Sequence, residues 1–114
     1  TSINDICGTA KLNFKIDFDT LCKAINLFIQ KNDCFRLKFN IKNGIVKQYI
    51  SDYKFINIEI INIEDEKDIS SIQKNLINKV FDIENDYLFQ FKIYRLPNEK
   101  GGFILNLKER RKFF

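Results

Sequence analysis

Residues 17–39 read DFDTLCKAINLFIQKNDCFRLKF, and this stretch decides the fold because it joins a capped amphipathic helix directly to an alternating strand. Counting from Leu21, the residues Ala24, Ile25, Phe28 and Ile29 recur at the spacing of one buried helix face, while Lys23, Asn26 and Gln30 fall opposite. Asp17 stands where a carboxylate can accept hydrogen bonds from the orphaned N–H groups of a first turn, and Asn32-Asp33 closes the other end. From Phe35 the period becomes two. Phe35, Leu37, Phe39 and Ile41 point one way and Arg36, Lys38 and Asn40 the other. A helix that delivers the chain into a strand, each apolar on one side, predicts helix-on-sheet packing around one core.

Working outward, residues 9–16, TAKLNFKI, alternate strictly and predict a first strand with one wet face. Asn43-Gly44 tolerates positive φ at a tight turn, so residues 45–50 return as a hairpin partner. Residues 55–63 are rich in Ile and predict another strand, followed by the acidic turn Glu64-Asp65-Glu66, which suits a helix N-terminus. Ile69, Ile72, Leu76 and Val80 give a second, narrower helix stripe. A polar connection over 81–86 holds the apolar pair Phe81 and Ile83. Residues 87–96 then alternate as a half-buried strand, 97–102 form a loop, and 103–107 pair back. Consecutive strands imply hairpins. The expectation is an α+β two-layer sandwich, with a mostly antiparallel or mixed sheet and both helices on one face.

A chain of 114 residues is one domain able to bury a core of Ile, Leu and Phe, with twelve Phe and four Tyr but no Trp or Met. The net charge of +4 is modest and its signs are interspersed, and the abundance of Ile, Asn and Lys looks like AT-rich coding, an alternative cause of the basic balance that weakens any partner argument from charge. No nucleic-acid or membrane partner is expected from it. Only residues 108–114, KERRKFF, form a basic tail. Alternating Phe over 89–93 reads as core rather than an RNA-stacking platform. The odd count of Cys7, Cys22 and Cys34 argues against a disulfide framework and for a reducing cytoplasm. Glu64, Asp65, Glu66 and Asp68 lack the spacing of a calcium loop, so neither a metal nor a cofactor is expected. No apolar run is long enough to span a bilayer, and no signal segment opens the chain.

In order, several stretches resemble the amino-terminal lobe of the condensation domain of nonribosomal peptide synthetases, one of the chloramphenicol-acetyltransferase-like acyltransferases. Residues 6–39 look like the family's strand, helix and Leu-Arg-Thr-x-Phe segment, here Phe35-Arg36-Leu37-Lys38-Phe39. Residues 43–50, NGIVKQYI, resemble the next hairpin, whose second strand carries a Gln, here Gln48. Residues 80–96 resemble the family's Phe-Asp-Leu segment and following strand. The resemblance spans about residues 6–107 and implies half of a chloramphenicol-acetyltransferase-like fold.

In that family GGFILNL is followed by His-His-x-x-x-Asp-Gly, whose second His lies where an amine attacks a carrier-bound thioester. Here the matching positions hold Lys108, Glu109 and Arg110-Arg111-Lys112-Phe113-Phe114, and the sequence contains no His. Arg stays protonated and Lys nearly so, which leaves the tail without a general base, and Glu109 alone has no partner to tune it. No catalytic residue is therefore assigned. The resemblance implies a structural role for Arg36, partner of the motif's Asp in the family; without that Asp it is expected to face solvent or meet another acid. The implied function is a non-catalytic fragment or remnant of a condensation domain, left by natural truncation, a frameshift or a chosen boundary. The implied partners are a phosphopantetheinylated carrier protein and a second copy, through an apolar former lobe interface. The alternative is a small independent binding module for a carrier protein, another polypeptide or an anionic surface.

Overall fold

The computed structural model describes residues 5–108. Its elements are β1 (Asp5–Leu12), α1 (Phe18–Lys31), β2 (Leu37–Lys42), β3 (Ile45–Ile50), β4 (Ile60–Asn62), α2 (Ile69–Asn78), β5 (Phe89–Arg95) and β6 (Gly101–Lys108). Four strands form one sheet in the order β1-β6-β5-β4. Its first two pairings are antiparallel and β4 joins β5 in parallel, so the sheet is mixed. The β2–β3 hairpin is a separate two-stranded sheet, closed by Asn43 and Gly44 with φ of 53° and 76°, the positive values a tight hairpin turn demands. The α+β class, the mixed sheet and the hairpin are as the sequence predicts.

The helix α1 starts at the expected cap. Asp17 Oδ1 accepts from the N–H of Asp19 (3.1 Å) and Thr20 (3.3 Å), and the Thr20 bond chiefly holds this carboxyl below its ordinary pKa. Ile25 and Ile29 of α1 pack on Phe89, Phe91 and Ile93 of β5, with Leu21, Phe103, Leu105 and Leu107 around them. The other face of the same strands is buried too. There Tyr94 of β5 and Ile104 of β6 pack with Ile72 and Leu76 of α2.

The helices therefore lie on opposite faces of the main sheet, giving three layers where two, with both helices on one side, were expected. The cause is period two itself: Ile93 and Tyr94 are neighbours in sequence, point to opposite sides, and are both almost fully buried. Other differences are local. The first strand covers 5–12 rather than 9–16, because its ladder ends where Leu12 meets Gly101, the first residue of β6, and Phe14 lies exposed beyond it. Phe35 sits in a 3-10 turn (Asp33–Arg36) before β2 rather than in the strand, yet its ring still meets Phe28, Phe89 and Phe91. Val80 falls beyond α2 and is 87% exposed.

The segment expected as a strand over 55–63 is laddered only at Ile60–Asn62. Before that, a buried side chain replaces the ladder. Asn26, placed on the solvent side by helix spacing, is 2% exposed. Its Nδ2 donates to the carbonyls of Cys22 and Ile56, both at 2.9 Å, while its Oδ1 accepts from the Ile56 N–H (2.8 Å) and the Tyr53 hydroxyl (3.1 Å). Every polar atom of the amide is paired, which is the condition for burying it.

Candidate functional site

A cleft of about 360 Å3 opens at the end of the main sheet where β5 begins and β6 finishes. Its floor is the α2-side face of these strands, with Gln90, Lys92 and Asn106 pointing into it. One wall is residues 56–59 and the other is the segment after α2, including Val80, Phe81 and Leu88. The α2 helix, ending at Asn78, covers only the Tyr94 and Ile104 end of this face.

Local chemistry shapes that second wall. Asp82 Oδ1 accepts from the Glu84 N–H (3.1 Å) and Oδ2 from the Asn85 amide (2.8 Å), while the Asp82 N–H donates to Asp86 Oδ2 (2.9 Å). These bonds, that from the Asn85 side chain foremost, hold the Asp82 carboxyl below its ordinary pKa. The turn they fix lets Phe81 and Ile83 bracket Asp82 and pack with Leu37, Phe39 and Leu88, clamping the β2–β3 hairpin to the chain entering β5. The Leu88 carbonyl accepts from the Lys108 N–H at 2.7 Å, which ties the end of β6 to this wall. On the hairpin's outer side the Lys38 ammonium lies 4.4 Å from the centre of the Tyr87 ring, a cation–π contact.

An ion pair lies at the cleft. Lys92 Nζ meets Glu59 Oε2 at 3.0 Å, so this carboxylate is tied to a cation. Among the described residues no three Cys, Asp or Glu side chains converge as a metal set, and Cys7, Cys22 and Cys34 form no disulfide with one another. Of the residues matching the family's motif positions only Lys108 is described; Glu109, Arg110, Arg111, Lys112, Phe113 and Phe114 lie outside the described residues.

Arg36 stands apart from the cleft, under the C-terminal end of α1. Its Nη1 donates to the carbonyls of Ile29 (2.8 Å) and Gln30 (2.6 Å), its Nε to that of Ser51 (3.0 Å), and its Nη2 to Asp33 Oδ1 (2.7 Å). A guanidinium fork fits this task, since it presents several fixed donors at once to orphaned helix-end carbonyls. Ser51 returns the tie by donating its N–H (2.9 Å) and hydroxyl (2.8 Å) to the Arg36 carbonyl. Asn26 is the structurally central polar residue that helix spacing did not single out. Its signal was faint: one Asn beside the stripe, with partners thirty residues on.

Comparison with known proteins agrees with this geometry. The family model for the condensation domain matches residues 5–107. Surfactin synthase subunit 1 of Bacillus subtilis (strain 168) is 28% identical over 114 residues, a match covering 94% of this chain and 3% of that protein. Among solved structures, the X-domain from teicoplanin biosynthesis superposes with a TM-score of 0.80 at 15% identity, covering 95% of this chain and 24% of that one. The first condensation domain of the CDA synthetase superposes with a TM-score of 0.78 at 10% identity, covering 90% of this chain and 29% of that one. The sequence thus spans a small part of its curated relative and about a quarter of the solved domains. With the family model matched over nearly its whole length, the chain belongs to the condensation domain family.

Proposed function

We propose that these 114 residues form the amino-terminal lobe of a condensation domain of nonribosomal peptide synthesis and make no peptide bond by themselves. In the reaction of the parent family an amine nitrogen attacks a carrier-bound thioester carbon, a C–N bond forms, the C–S bond breaks, and the thiol leaves with the proton. A group that can accept or orient that proton near neutral pH is required, and His is the ordinary choice. The observation that carries the proposal is the family match over 5–107 together with a sequence that contains no His. The lobe supplies scaffold: a mixed sheet, a cleft at its end, and Arg36 as a structural residue holding the last turn of α1 to Ser51. Its partner is a carrier protein bearing a phosphopantetheine thioester, and its setting is the reducing cytoplasm that suits an odd number of cysteines.

The test combines two readouts on the same sample. Donor and acceptor carrier proteins charged as thioesters are mixed with the chain, and dipeptidyl-carrier is sought by mass spectrometry. No product above the uncatalysed rate is expected, and turnover by this chain alone overturns the non-catalytic assignment. Titration of 15N-labelled chain with charged carrier should shift amides in a contiguous patch. Absence of any shift at high carrier concentration overturns the partner assignment.

A further inference from the structure

Residues 37–50, which build the β2–β3 hairpin, contain three lysines and no acidic residue. Alternation puts all three on one face. Lys38 and Lys42 share a side of β2 with Asn40, and the register sets Tyr49, Ile45 and Lys47 opposite them on β3. The other face is the one on which Leu37 and Phe39 pack with Leu88. Lys54, beyond the end of β3, joins Lys38 in lining a depression of about 360 Å3, walled by Tyr49 and Tyr87 and completed by Ser51 and Asp52. The Tyr87 wall is held by the Phe89 ring, stacked on it at 5.1 Å. Among the described residues neither lysine forms an ion pair. Lys38 is half-buried, and its ammonium lies over the Tyr87 ring with no hydrogen-bond acceptor among those residues, so three N–H donors remain for a ligand.

We propose, on the reading that the lobe receives a carrier-borne thioester, that this depression seats the phosphate of the phosphopantetheine arm. Two lysines against the one carboxylate of Asp52 leave the depression cationic, and lysine binds a phosphate as a point charge. Lys42 and Lys47 on the same face add to the positive field without touching the cavity. The volume suits more than a phosphate alone. Tyr87 lines both the depression and the cleft, and the cleft extends to Lys108, where the positions matching the family's motif begin. An anion held beside Tyr87 therefore has a path for its chain toward the end of β6. Phe81 and Leu88 on that path suit methylenes, and the Gln90 amide suits the amides of pantetheine. The arm is one charged group followed by a neutral chain, which is the order of the two cavities. A polyanion would instead carry its charges along Asp82, Glu84 and Asp86, the acidic turn that borders the cleft.

Titration of the 15N-labelled chain tests the assignment. Free phosphopantetheine should shift the amides of Lys38, Tyr49, Lys54 and Tyr87. Pantetheine, which lacks the anion, and inorganic phosphate, which lacks the chain, should each bind at least about tenfold more weakly. Lys38→Gln with Lys54→Gln, checked for fold by circular dichroism, should weaken phosphopantetheine at least about tenfold and leave pantetheine unchanged. Each single substitution should weaken it by a smaller factor, and Lys74→Gln, on the exposed side of α2, should change neither ligand. A carrier domain bearing the arm should shift the same four amides, and the arm-free carrier should not. No shift by phosphopantetheine up to about 10 mM overturns the proposal. Pantetheine or inorganic phosphate that matches phosphopantetheine overturns it too, as does a double variant that binds it normally. An arm-bearing carrier that shifts a patch away from these four amides overturns the site and leaves the carrier reading standing. A carrier that shifts nothing, while free phosphopantetheine still binds through Lys38 and Lys54, supports the site and overturns that reading.

Discussion

Tyr94 is 1% exposed, yet its hydroxyl has no hydrogen-bond partner among the described residues. The ring is well placed between β6 and α2, and it is the oxygen that sits badly. The strands press together here: a Cβ on Gly102 would collide with the Ala10 carbonyl and stand 2.8 Å from the Tyr94 hydroxyl, which leaves little space for a bridging group. Burying a hydroxyl unpaired costs about 1–3 kcal/mol. Tyr94→Phe removes that cost and gives up only a few dispersion contacts of about 0.1–0.2 kcal/mol each. A net gain of about 1 kcal/mol follows, equivalent to a rise of roughly 4–6 °C in Tm for a domain of this size. Because the chain has no Trp, urea unfolding is best followed by far-UV circular dichroism, where the midpoint should rise by about 0.5 M. The same substitution has a pH signature. Burial, and next the Glu66 carboxylate, push the Tyr94 phenol above its ordinary 10.0, with Lys11 opposing. Above pH 10.0 the folded chain therefore keeps a proton that the unfolded chain releases, and stability falls as pH rises. Tyr94→Phe should flatten that alkaline limb. A loss of about 1 kcal/mol or more on substitution would refute the reasoning, since it would mean that the hydroxyl is bonded in solution.

Two further substitutions test the polar ties. Arg36→Ala leaves the carbonyls of Ile29, Gln30 and Ser51 without their charged donor and should cost roughly 2–3 kcal/mol by urea unfolding; Arg36→Lys should recover less than half, because one ammonium cannot serve the helix end and Ser51 together. Asn26→Ala strands the Ile56 N–H in the interior and should cost roughly 2–3 kcal/mol, with hydrogen exchange of the Ile56 amide accelerating more than that of the β5–β6 ladder.

How much of this was legible follows from the range of each interaction. Asp17, the α1 stripe at Ile25 and Ile29, and the Asn43-Gly44 turn were readable because cap, period and turn chemistry act within a few residues. Phe81 and Ile83 were readable as anchors, though not that their counterparts would be Leu37 and Phe39. Asn26 was misplaced because its helix position looked solvent-facing. What buries it is an irregular segment thirty residues on, whose backbone needs the side chain in place of a ladder. Arg36 was picked out by resemblance alone, and its bond to Ser51 depends on a hairpin bringing distant residues together.

The layering was missed for a reason that also locates the cleft. In FQFKIYR the letters between Phe89, Phe91 and Ile93 are Gln90, Lys92 and Tyr94, which by alternation alone describe a wet face. That face is divided along its length. Tyr94, and Ile104 beside it, lie under α2 and are almost completely buried. Gln90, Lys92 and Asn106 lie beyond the last turn of α2, where they floor the cleft, and Asn106 is only 2% exposed. The polar letters thus mark the part of a covered face that its own helix is too short to reach. Since α2 ends at Asn78 and the next residues swing out to Val80 before returning at Phe81, its length sets where the cleft begins. The Leu88–Lys108 bond then fixes the end of β6 against the cleft wall, at the end of the sheet from which the chain continues.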